Sequence, residues 1–236
     1  KGKFGIKTEN TKDTLVKEEP VKIIELKNTV VKEGKSETLK ELSNKKQTSV
    51  IVANKNIKTA KKICNMITTK YYLTETSKDV IGVEICSSIK NIYSMLIGAA
   101  EGLSNSKAPI EIQSKYYLNT AASLIHRSIS EMVEFVSYYG GSLETVYGLA
   151  GLGDLYVSAI GGRNSLMGKY LGQGYLYKDA KELFMKNITI EGAELAFEIG
   201  PKIFKDLKAN KFPLMFEKKA IVIELVGHNT PTTRLL

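Results

Sequence analysis

Between Gly148 and Gly174 the chain reads GLAGLGDLYVSAIGGRNSLMGKYLGQG, small residues crowded around a single acid, Asp154, with the pair Arg163-Asn164 nine residues further on. Glycines let a backbone turn tightly and approach a ligand closely. Arg163 offers a planar fork that matches phosphate, and the helix-like run that it opens offers backbone amides to the same anion. A lone acid next to an anion site is repelled by the ligand unless it holds a lysine or a substrate hydroxyl. The alternative for Asp154 is plain capping of a helix or turn. A lysine stands in the earlier segment IGVEICSSIKN, where Lys90 follows Ile89 and Asn91-Ile92 come next. Desolvation amid apolar neighbours disfavours the charged form of a lysine, so its amine can take a proton from an alcohol as hydride leaves the carbon. Equally, the stem of such a lysine can cover the core while its head reaches water. Together these residues describe a site for a small phosphorylated, hydroxylated molecule.

The elements that must position these groups follow from periodicity. Val21–Leu26 is an apolar run of strand character, preceded by a short helical stretch that ends at Pro20, and Glu37–Asn44 suits a helix. The β-branched run Thr48–Ala53 reads as a buried strand, Asn56–Met66 as a helix and Tyr71–Leu73 as another strand. That alternation is α/β in kind. After about Ser77 apolar residues recur three and four apart, over Val80–Leu103, Ile110–Tyr138 and Glu191–Leu207, with Leu214–Val226 entered through Phe212-Pro213. Gly140-Gly141 ends the second of these, and Ser142 is placed to cap the next helix, with Glu144 in its first turn. The expected fold is therefore α/β followed by all-α: residues 1–77 form the tail of a nucleotide-binding sheet and residues 78–236 a helical bundle. Lys1-Gly2-Lys3-Phe4 starts mid-pattern without a leading strand, and a fragment is expected.

Bulk composition narrows the function. The chain has 236 residues, 43% hydrophobic and 25% charged, ordinary values for a globular protein. Its net charge of +9 comes from scattered lysines, which solvate helix faces and attract anionic ligands. No basic block interleaved with aromatics appears, so nucleic acid is not expected as a partner. Cys64 and Cys86, the only cysteines, sit in apolar helical patterns and read as buried free thiols of a reducing compartment. His126 and His228 lack ligand spacing, and no metal is expected. With no signal peptide and no apolar run judged long enough to span a bilayer, the expected location is cytoplasmic, without stable membrane insertion.

GLAGLGDL followed by GGRN, together with IGVEICSSIKN, resembles the C-terminal domain of NAD(P)-dependent glycerol-3-phosphate dehydrogenases, from about Thr48 to the C-terminus. The resemblance implies a partial Rossmann-like domain, its N-terminal strands missing, followed by a helical substrate domain. It implies reversible oxidation of glycerol 3-phosphate to glycerone phosphate, with NAD or NADP as cofactor and a homodimeric assembly. In this family the lysine of the Lys-Asn motif is the catalytic acid/base, which here is Lys90, with Asn91 beside it in the substrate site. Asp154 then binds substrate hydroxyls and fixes the lysine. Arg163 and Asn164 hold substrate phosphate, Arg163 also lying near the cofactor pyrophosphate. A hydroxyl position upstream of the arginine falls on Ser158 or on Gly162. Glu191, of Glu191-Gly192, corresponds to an acid beside the cofactor, although a first-turn acid facing a helix dipole would need no such role. Lys1 matches a substrate-binding lysine. The chain departs from the family at Gly34–Leu39, where only Gly34 and Ser36 match, and it shows no Gly-x-Gly-x-x-Gly after a first strand. Two other readings remain: a helical interaction domain that has lost its chemistry, and a related hydroxyacid dehydrogenase with another phosphorylated substrate.

Overall fold

The computed structural model describes residues 22–25, 47–106, 117–196, 198 and 211–216. Lys1, the Gly34–Leu39 segment, the stretch expected to be helical at Glu37–Asn44 and His228 all lie outside the described residues.

A three-stranded sheet opens the described part, with β2 (Thr48–Ala53) in the middle. Its β-branched residues explain both its strand conformation and its burial, for Val50, Val52 and Ala53 are fully enclosed. On one side β2 pairs in parallel with β3 (Tyr72–Ser77), Val50 opposite Thr74. The connection is α1 (Ile57–Ile67), and a parallel pair needs such a crossover. Asn56 caps α1, its side-chain oxygen accepting the Lys58 N–H at 3.1 Å, while Ala60 and Cys64 pack toward Val52. On the other side β1 (Lys22–Glu25) runs antiparallel, Ile24 opposite Ile51. The strand–helix–strand unit is thus the α/β element that the sequence suggests, and β1 gives the sheet a mixed rather than an all-parallel edge.

Past Ser77 the described elements are helical: α2 (Val80–Ser104), α3 (Tyr117–Tyr138), α4 (Leu143–Tyr147), α5 (Asp154–Gly161), α6 (Arg163–Gly172), α7 (Tyr177–Phe184), a helical stretch at 191–196, and α8 (Pro213–Phe216). Between α4 and α5 a single π-helical turn covers Leu149–Gly153. The expected helix over 110–138 is seen from Tyr117, and those over 191–207 and 214–226 are seen through 196 and 216; the remainder lies outside the described residues. Ser142 stands at the start of α4, yet its hydroxyl turns to the Glu144 carboxylate and makes no cap bond.

The 25-residue α2 is the axis of the bundle, packed against α3, α5, α6 and the π turn. By length and composition it is apolar enough to cross a membrane, contrary to the expectation from the sequence. More than half of that apolar window is buried in the bundle, so packing accounts for its character. Its seam with α6 is made of glycines: a Cβ on Gly168 would lie 1.9 Å from the Met95 carbonyl oxygen, and one on Gly98 2.1 Å from that of Ser165. The two helices touch backbone to backbone, which locks the helix carrying Lys90 to the one opened by Arg163. A buried polar link ties α2, α3 and α8: Tyr93 donates to Glu131 at 3.0 Å and the Leu214 N–H donates to the same carboxylate at 2.6 Å. Burial pushes the Glu131 carboxyl above its ordinary range, and these hydrogen bonds pull it back in part.

Candidate active site

Lys90 projects from the middle of α2 and Asp154 opens α5, 64 residues later, and the two form an ion pair. The Asp154 side chain is wholly buried and that of Lys90 is 12% exposed. The Lys90 ammonium is directed at an acid rather than at open water. Asp154 likewise does not cap its helix; Gly153 holds the cap position and the carboxylate turns to the lysine. Burial raises the Asp154 carboxyl above its ordinary value, and the Lys90 charge and the Ser158 hydroxyl work against that rise. Ser158, one turn along α5, is also buried.

The glycines before Asp154 build a π turn, not the tight loop that their composition suggests. Such turns widen the helix locally and often accompany functional positions. One turn back from Lys90 lies Cys86, fully enclosed. Burial first, then the charges of Asp79 and Asp154, push its thiol up to about 12, so it is an inert filler of the core. Cys64 is likewise a buried free thiol, whereas His126 lies exposed on α3.

Arg163 is the first residue of α6, behind the extended Gly162. Its Nε donates to Glu191 at 2.7 Å and its Nη2 pairs with the other oxygen of the same carboxylate. Partial burial holds the guanidinium below its ordinary value, and its side chain keeps 33% exposure. Asn164 is enclosed and bridges the same neighbourhood. Its carboxamide oxygen accepts the Gly192 N–H at 2.8 Å and its NH2 group reaches Glu191 at 3.4 Å. The carbonyl of Asn91 packs against Gly192, where a Cβ would lie 2.5 Å from it. Asn91 turns its own side-chain amide to the Ser87 carbonyl at 3.4 Å. Gly162 lacks a hydroxyl for a local reason: a Cβ there would fall 2.5 Å from the Ser158 carbonyl oxygen.

The structure thus gathers Lys90, Asn91, Asp154, Ser158, Gly162, Arg163, Asn164 and Glu191 at the junction of α2, α5, α6 and the 191–196 stretch. Lys1 is the one sequence candidate outside the described residues. Chemically, the junction offers an amine steadied by a buried acid, with a guanidinium and helix-start amides on the neighbouring α6. Sequence reasoning missed Asp79, which binds both the start of α2 and the start of α4. An acid directly before a long apolar helix is a capping signal, but the second partner, 63 residues on, leaves no local trace.

Residues 79–228 match the protein family described as the C-terminus of NAD-dependent glycerol-3-phosphate dehydrogenase. An NADP-dependent glycerol-3-phosphate dehydrogenase of Archaeoglobus fulgidus is 33% identical over 174 residues, 72% of this chain and 50% of the relative. A glycerol-3-phosphate dehydrogenase of Clostridium botulinum is 30% identical over 200 residues, 83% of this chain and 57% of the relative. The crystal structure of the Coxiella burnetii glycerol-3-phosphate dehydrogenase superposes with a TM-score of 0.67 at 27% identity, over 82% of this chain and 55% of that one. The chain spans about half the length of the curated relatives it matches.

Proposed function

The chain belongs to the NAD-dependent glycerol-3-phosphate dehydrogenase family, and from that premise we propose that it forms the substrate-binding and proton-transferring part of such an enzyme. Residues 78–236 are the helical substrate domain in this reading, and residues 1–77 the end of a nucleotide-binding domain. The relatives' additional length leaves room for the Gly-x-Gly-x-x-Gly unit. The observation that carries the reading is the Lys90–Asp154 ion pair, held inside the bundle with Arg163 and Asn164 on the neighbouring helix.

Bound NAD or NADP supplies the hydride acceptor. The exposed part of the Arg163 fork and the amides at the start of α6 suit a phosphate or pyrophosphate, and Glu191 is the acid at that rim. Lys90 in its neutral form takes the hydroxyl proton of sn-glycerol 3-phosphate as hydride leaves C2, and in reverse the ammonium returns that proton to the oxygen of glycerone phosphate. Asp154 keeps the amine on station and stabilises the ammonium that forms. Its burial removes the competing water that would loosen the pair. Ser158 and Asn91 line the substrate side. Binding the phosphate remotely at Arg163 holds the reacting carbon in place, so binding energy is used in the transition state. We further read the assembly as a cytoplasmic homodimer.

The test is turnover of glycerol 3-phosphate with NAD and with NADP by the full-length protein, followed by formation of the reduced nicotinamide, and by calorimetric titration of the same substrate. Turnover and heat of binding support the reading. Absence of both would leave the fold without this chemistry.

A further inference from the structure

We propose that Asp79 is a positioning residue for proton transfer, tying together the two limbs of the fold that carry Lys90 and Asp154. The inference rests on the reading of Lys90 as the acid/base.

One carboxylate accepts three hydrogen bonds from two elements far apart in the chain. Its Oδ1 takes the Gly82 N–H at 2.8 Å and so caps α2. Its Oδ2 takes the Ser142 N–H at 2.8 Å and the Thr145 hydroxyl at 2.6 Å, both at the start of α4. Its own N–H donates to the Ser77 hydroxyl at 3.0 Å, which adds the end of β3 to the node. A helix cap needs only one acceptor. The second oxygen is engaged by the other limb entirely.

From this node the two limbs run side by side to the site, α4 and the π turn packed on α2. Along α2, Lys90 stands eleven residues on, about 16 Å at helical rise. Along the other limb, α4 leads through the π turn to Asp154. The Lys90–Asp154 pair closes the circuit. A loop fixed at both ends has one register. With the Asp79 end released, α4 and the π turn can slide along α2, and the carboxylate that steadies the amine moves with them. A misplacement near 1 Å costs a reaction roughly a hundredfold, so a fraction of that is enough to be read in kcat.

The experiment compares Asp79→Asn, Thr145→Val and Thr145→Ser in the full-length protein, using glycerol 3-phosphate with hydrogen or deuterium at C2. Asp79→Asn turns a donor toward donors and is expected to lower kcat by about tenfold while KM changes little. The deuterium isotope effect on kcat rises, because the chemical step becomes slower than product release. Thr145→Val acts in the same direction to a smaller extent, and Thr145→Ser restores the wild-type values. A merely structural cap would lower the melting temperature and the folded fraction and leave the isotope effect per active molecule unchanged; that result overturns the proposal. If Asp79→Asn does not fold, Thr145→Val carries the test. A crystal structure of the variant decides independently of activity: a parted Lys90–Asp154 pair supports the tie, and an unmoved pair overturns it. A wild-type protein that fails to turn over glycerol 3-phosphate sinks the assigned reaction, and the crystallographic comparison still judges Asp79.

Discussion

Replacing Lys90 by methionine keeps the length of the stem and removes the charge, leaving Asp154 wholly buried without the cation that the structure gives it. Breaking a buried pair by deleting one partner costs about 3–5 kcal/mol, and the 12% exposure of Lys90 places this case near about 3 kcal/mol at pH 8. The penalty depends on pH, with a sign fixed by the raised Asp154 carboxyl. An acid whose folded pKa lies above its unfolded value costs nothing below the ordinary value of 3.8, where both states are protonated. Stability is then lost as pH rises from there to the folded value, because only the unfolded state gives up its proton. Lys90 opposes the rise, so its removal lifts the carboxyl further and extends the window of loss upward. Urea unfolding followed by circular dichroism from pH 8 down to pH 4 should show the Lys90→Met penalty shrinking steadily toward acid. The double variant Lys90→Met with Asp154→Leu should recover most of the loss, since neither charge is then buried alone. A penalty of less than about 0.5 kcal/mol, or one that is flat across this range, would mean that the pair behaves like a solvated surface contact, and the reasoning fails.

Three further outcomes follow from the same geometry. Arg163→Lys keeps the charge and loses the fork, so KM for the phosphorylated substrate should rise about tenfold with a smaller change in kcat, read from initial rates; an unchanged KM would remove Arg163 from phosphate binding. Gly168→Ala drives a Cβ toward the Met95 carbonyl, 1.9 Å away, and should destabilise the protein by about 1–3 kcal/mol in urea while lowering kcat through the displaced α2. Tyr93→Phe removes one of the donors to the buried Glu131 and should cost about 1–3 kcal/mol. Because burial raises that carboxyl and Tyr93 lowers it, the loss should grow as pH climbs past the raised folded value of Glu131, which lies above 4.5, in the same denaturation assay.

Local pattern carried the elements well. The β-branched run at Thr48–Ala53 and the three-and-four spacing of α2 each determine a structure within their own few residues. Residue chemistry also marked Lys90 and Asp154 as unusual, an amine and an acid in apolar company, although spacing alone left other uses open for both. Their pairing across 64 residues is a tertiary fact, as is the engagement of Arg163 by Glu191. What stayed hidden is of one kind. Periodicity states which face of an element is buried and never names the partner, so the antiparallel seat of β1 on β2 and the second half of the Asp79 node left no sign. Several glycines that composition suggests as ligand-facing turns instead serve backbone contact, Gly151 against Val146 and Gly162 against Ser158 among them. Ser142 is a preferred capping type in the capping position, yet Asp79 meets its backbone and Glu144 claims its hydroxyl.

Chemical rescue tests the central claim most directly, because it asks whether an amine at the Lys90 position moves the proton. In the full-length Lys90→Ala variant, turnover of glycerol 3-phosphate should fall by at least about a hundredfold. Added primary amines should restore part of it, with a rate that follows amine basicity and saturates with amine concentration. A folded, substrate-binding Lys90→Ala variant that keeps wild-type turnover, or that no amine rescues, would contradict the account.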